Sequence, residues 1–217
     1  MDNASEGLQM LRSHAEQSLR RGMFLLSTTD VSDFWIDINE FITPRAIEAM
    51  ALGLASFAAR YSDERGPFGL VTPAYPDASE KSFPLRLIVE SAIEKCGGDA
   101  GVVSIGAEFR PGDGTYELDQ EPPRICVPVI GVSVHISVLL GVISAVRRTG
   151  VTVDHAFAFL CREKTSVGRL RDVGVTLVPL LIAEEITGRV ASIADAEVRA
   201  DPDFATPSSL WGGFRDR

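Results

Sequence analysis

Residues 124–150 read RICVPVIGVSVHISVLLGVISAVRRTG. The apolar run at the start predicts a buried strand, the middle a short turn, and the rest a helix that stops at Gly150. In an α/β protein the turn after such a strand is where ligands usually bind. That turn holds Ile130, Gly131, Val132, Ser133, Val134, His135, Ile136 and Ser137. It has no carboxylate, no lysine and a single glycine, so its composition gives no positive sign of a reaction.

Working outward, apolar runs and helical periods alternate. Upstream, FGLVT at 68–72 and GVVSIGAE at 101–108 read as core strands. Helices precede and follow the first of them: one opens at Thr43-Pro44, a cap followed by proline in the first turn, and one carries Leu85, Ile88, Val89, Ala92 and Ile93. Downstream come a strand at 151–161, a short helix at 165–172, a strand at 175–183 and a last helix at 183–198. Alternation of this kind predicts a doubly wound, mainly parallel α/β sheet flanked by helices. Near-continuous apolar strands fit a sheet covered on both faces. Pro128 conflicts with a central strand, because it has no N–H for the ladder. The strand is therefore at an edge, bulged there, or in an unusual register.

The N-terminal part reads as a helix over 5–21, capped by Ser5 and stopped by Gly22, then two short strands around a polar loop. This gives three parts: a helix and small hood at 1–43, the α/β core at 44–199, and a Pro/Gly/Ser-rich tail at 200–217. Residues 110–123, RPGDGTYELDQEPP, read as a long irregular loop, the kind that acts as a lid or is mobile.

Bulk properties narrow the function classes. The chain has 217 residues, 45% of them hydrophobic, which is enough for one substantial core. The net charge of −9 argues against nucleic-acid and anionic-membrane partners. Cys96, Cys126 and Cys161 form no CxxC pair, so we expect reduced, mostly buried thiols rather than a zinc or disulfide framework, and a cytoplasmic protein. The N-terminus lacks the pattern of a signal peptide, and no apolar run is long enough to span a membrane.

Three segments resemble orotate phosphoribosyltransferases, enzymes of the type I phosphoribosyltransferase fold. The first is Gly22-x-Phe24-x-Leu26 with Ser32-x-Phe34-Trp35-Ile36-Asp37. The second is Thr72-Pro73-Ala74-Tyr75 with Pro84-Leu85, and the third is residues 126–150, which match the signature strand, phosphate turn and helix without a gap. The resemblance covers roughly residues 5–182. It implies a type I phosphoribosyltransferase-like core with an N-terminal hood, and a homodimer or a heteromer with a related subunit.

The same comparison implies that the binding groups have changed. The family's paired acidic residues, which hold the ribose hydroxyls of phosphoribosyl pyrophosphate (PRPP), fall at Ile130 and Gly131. Its glycine-rich phosphate turn falls at Val134, His135, Ile136 and Ser137, where both glycines are replaced. Its lysine before the serine falls at Val31. Its mobile basic loop falls in 106–121, where Glu108, Asp113, Glu117, Asp119 and Glu121 face only Arg110. A polyanionic substrate needs positive groups or a bridging metal as pyrophosphate leaves. Removing one such contact costs about 2.7–4 kcal/mol of barrier.

No residue is assigned a catalytic role. Ser32, Phe34, Trp35, Asp37, Tyr75, His135 and Ser137 are the candidate lining of a small-molecule pocket; Phe34, Trp35 and Asp37 serve equally as a hydrophobic anchor of the hood. His135 reads more readily as a half-exposed turn residue than as an acid or base. Asp154-His155 suggests a catalytic pair, but neighbours on a strand point to opposite faces, which favours a core histidine. Asp30, Asp33 and Asp37 read as a solvated loop, so no metal or cofactor is expected, and magnesium enters only with residual transferase activity. The expectation is a catalytically degenerate module that is structural, partner-binding or ligand-sensing. The alternatives are a divergent enzyme for a nucleoside-like or aromatic molecule, and a weak or partner-dependent transferase.

Overall fold

A computed structural model of the chain describes residues 3–25, 31–36, 38–74, 84–97, 100–133, 136–161 and 164–183. The expected last helix and the tail lie outside them.

Helix α1 (Asn3–Gln17) leads into an antiparallel hairpin of β1 (Leu19–Leu25) and β2 (Val31–Ile36), then a single turn, α2 (Ile38–Phe41). The long helix α3 (Pro44–Arg65) starts at the expected cap: Thr43 Oγ1 accepts from the Ala46 amide at 3.2 Å. After it come β3 (Phe68–Ala74), α4 (Leu85–Cys96), β4 (Val102–Arg110) and β5 (Thr115–Leu118). The quoted stretch forms β6 (Cys126–Ser133) and α5 (Ile136–Arg148), followed by β7 (His155–Cys161), α6 (Lys164–Asp172) and β8 (Thr176–Ile182).

Six strands form one sheet in the order β5-β4-β3-β6-β7-β8. Only β5 runs antiparallel to its neighbour. Both faces are covered, as the apolar strands predicted. Along β6 and β7, Val127, Val129, Phe157 and Phe159 join the core under α1, α3 and α4. The alternate residues Cys126, Ile130, Ala156 and Ala158 join the core under α5 and α6.

Two expectations at the N-terminal end need correction. Helix α1 includes Ser5 rather than starting at it, and it stops at Gln17 rather than at Gly22. Both the amide and the hydroxyl of Ser18 donate to the His14 carbonyl (2.9 and 2.7 Å), which closes the last turn. Leu19 to Leu25 then pair with β2, so Gly22 lies in a strand. The second correction is α2, where a continuing strand was expected.

Pro128 lies in a central strand, and the structure explains how it is tolerated. The Cys126 amide donates to the Thr152 carbonyl, so the even-numbered amides of β6 face β7. Between the Ile125↔Thr152 bridge and the Val129↔Phe157 pair, the β7 side has one residue more than the β6 side. That is a bulge, and the proline nitrogen sits opposite it, where the ladder is already interrupted. The edge-strand alternative for Pro128 is thereby ruled out.

A second proline shapes the middle of the sheet. Strand β3 pairs with β6 only from Gly69↔Cys126 to Val71↔Pro128. Beyond that, β3 stays with β4 as far as Ala74↔Glu108, and β6 stays with β7 as far as Ser133↔Cys161. The Gly69 amide donates to Ile125, so odd residues of β3 face β6. After Val71, the next position in that register is Pro73, which has no N–H, and the ladder ends there.

Candidate functional site

The sheet order puts a topological switch point between β3 and β6: the chain leaves β3 toward β4 on one side and returns to β6 on the other. Open α/β sheets bind ligands outside the carboxyl ends of the strands at such a point. The parting of β3 from β6 after Val71 and Pro128 falls at the same place.

The β3 side of this region is Thr72-Pro73-Ala74. Thr72 is buried, and its hydroxyl donates to the Ile105 carbonyl at 3.4 Å, so it serves the β3–β4 contact. On the β6 side Ile130 is only 4% exposed and lies in the apolar cluster that contains Ile105, Leu139 and Val142. Gly131 is buried as well. At the start of α5, Ile136 is half-buried and Ser137 is exposed. Val134, His135, Asp37 and Tyr75 lie outside the described residues. Ser32, Phe34 and Trp35 are placed by backbone only, paired with Phe24, Arg21 and Arg20 in the hairpin. Among the described residues, no group of three or more His, Cys, Asp or Glu side chains could hold a metal ion.

The expected lid at 110–123 is corrected. It folds back as an antiparallel hairpin and supplies the outer strand, β5, of the sheet. Asp113 Oδ1 accepts from the Thr115 amide (3.1 Å) and hydroxyl (2.7 Å), bonds that lower its carboxyl pKa, and Gly114 takes φ +67°. These are the elements of a tight Asx turn. Arg110 pairs with Glu117 across the strands. Asp119 Oδ1 accepts from the Gly106 amide at 2.9 Å, and the Gln120 side chain donates to the Ser104 carbonyl. Tyr116 is buried over Gly141 of α5, and Arg148 donates to the Tyr116 carbonyl at 3.0 Å. A composition rich in Pro, Gly and acidic residues suggested a mobile loop. The alternation of Phe109, Tyr116 and Leu118 toward α5 is what binds it down.

A Cβ on Gly141 would stand 2.7 Å from Tyr116 Cε2. Gly141→Val is therefore expected to displace Tyr116, cost about 1–3 kcal/mol, and raise amide hydrogen exchange across 115–118. Unchanged exchange in that segment would show that the hairpin is held by other contacts.

A separate polar cluster forms at the opposite, amino-terminal end of the strands. Asp154 Oδ1 accepts from the Tyr61 hydroxyl at 2.6 Å and lies 2.9 Å from His155 Nδ1, while Asp154 Oδ2 lies 3.2 Å from Arg65. The expectation that Asp154 and His155 face apart is wrong. The bulge opposite Pro128 falls at this point, and His155 is the first strand residue, so strict alternation has not begun. His155 is half-buried, edge-on to the Tyr61 ring at 5.2 Å, rather than fully in the core. No signal in the sequence joined Tyr61 to Asp154, which are 93 residues apart.

Burial alone would raise the Asp154 pKa, but hydrogen bonds from Tyr61 and His155, with the charge of Arg65, hold it below the usual value. A lowered folded pKa gives stability that is present above the unfolded value of about 3.9 and lost as pH falls through the folded value. Asp154→Asn is accordingly expected to destabilise the protein at pH 7 by roughly 1–2 kcal/mol, a modest figure because Arg65 is well solvated. The gap between urea melts of the two proteins should hold at neutral pH and close only as pH falls below the unfolded value and on through the lowered folded one; a constant gap would remove the carboxylate from the explanation. Burial also pushes the Cys126 thiol up to about 11, which leaves it protonated and unreactive at neutral pH.

With the fold and this geometry in place, the chain can be compared with known proteins. No family model matches it. Over 165 residues it is 29% identical to the orotate phosphoribosyltransferase of Methanothermobacter thermautotrophicus, a match spanning 75% of this chain and 83% of that one. The crystal structure of orotate phosphoribosyltransferase from Aeropyrum pernix superimposes with a TM-score of 0.61 at 21% identity, covering 82% of this chain and 94% of the other. The Mycobacterium tuberculosis orotate phosphoribosyltransferase in complex with PRPP superimposes with a TM-score of 0.54 at 10% identity, covering 84% and 90%. The chain thus has the type I phosphoribosyltransferase fold. Within that fold, the curated relative it resembles in sequence is an orotate phosphoribosyltransferase. No helix among the described residues is long and apolar enough to cross a membrane.

Proposed function

We propose that this protein is a catalytically degenerate relative of orotate phosphoribosyltransferases, kept as a structural or partner-binding module, with a second copy or a related subunit as its partner. The observation that carries this reading is Ile130. The resemblance places a ribose-binding acidic residue there, and the side chain present is apolar, 4% exposed and part of the core beneath α5. An isoleucine so placed accepts no hydrogen bond from a ribose hydroxyl. The bound-down β4–β5 hairpin supports the reading. Its acidic residues Glu108, Asp113, Glu117, Asp119 and Glu121 would repel pyrophosphate, and its bonds to α5 oppose closure over the switch point.

Calorimetry of the full chain with PRPP and magnesium tests this. The expected result is no binding at micromolar concentrations and no pyrophosphate release when orotate is added. Saturable micromolar binding would overturn the proposal, and turnover that appears only with an active homologue co-expressed would favour a partner-dependent transferase.

The opening between β3 and β6 favours a second reading, in which the crevice takes a neutral nucleoside-like or aromatic molecule. His135, Ser137, Phe34 and Trp35 would then face one cleft. A crystal structure with these side chains far apart would sink that reading.

A further inference from the structure

We draw no further inference here: the strongest candidate, the groove of about 440 Å³ between β5 and the C-terminal end of α5, lined in part by Tyr116, Leu118, Glu121, Arg148 and Val151, carries none, because Arg148 is already bonded to the Tyr116 carbonyl and nothing in the structure shows what would cover the groove.

Discussion

Ile130→Asp is expected to be strongly destabilised at neutral pH, and to give no binding of PRPP. The position is 4% exposed and surrounded by Ile105, Leu139, Val142 and other apolar groups of one cluster. A carboxylate there either stays charged without a partner or takes up a proton and remains an unsatisfied polar group. Either route costs about 3–5 kcal/mol, a large share of the roughly 5–15 kcal/mol that holds a typical domain together. Ile130→Val serves as the control, with an expected loss of about 0.5–1.5 kcal/mol. Circular dichroism and urea melts report the folding, and calorimetry with magnesium the binding. A folded, stable Ile130→Asp protein that bound PRPP would show that the site is one residue from function, and the degenerate reading would fail.

Phe157→Ala is the second large effect. Phe157 sits on β7, 2% exposed, with its ring 5.3 Å from Phe57 of α3 and 5.2 Å from Phe159. Truncation removes one aromatic contact between the sheet and α3 and leaves a cavity. The expected loss is about 3–5 kcal/mol. Leu87→Ala, at a side chain 55% exposed on α4, should change stability by no more than about 0.5 kcal/mol. Thermal melts of the two variants side by side measure the contrast. Equal shifts would mean that the aromatic contact between α3 and β7 is not a main support of the fold.

These two residues also mark how far the sequence could be read. Phe157 was legible as core because it alternates with other apolar residues in a short apolar run, and period-2 patterning survives in any sheet covered on both faces. Ile130 enters the proposal as a changed ligand position only through the resemblance, in which the flanking strand, turn and helix keep their lengths. The candidate site was less legible. Its floor could be inferred from Ile130 and Gly131. The parting of β3 and β6 depends on Pro73 having no N–H toward β6, and that direction follows from the register of two strands distant in the chain.

In two of the places where local chemistry misled, the reason is the same. Residues 110–123 have the composition of a loop, and Asp154-His155 that of two strand neighbours. In each case a long-range partner decided the outcome: Gly141 and Arg148 for Tyr116, Tyr61 and Arg65 for Asp154.

By itself, the sequence determined the alternation of strands and helices from α3 to β8 apart from β5, the burial on both faces of the sheet, and the apolar character of residues 124–150. Those properties follow from hydrophobic periods of two and 3.6 residues and from caps such as Thr43, which act between near neighbours. Only the tertiary structure decided how Pro128 fits a central strand, where the β3–β6 ladder ends, and that the expected lid is a sheet edge. Each of these depends on which backbone groups meet across the sheet, and hydrogen-bond register is a property of pairs of strands.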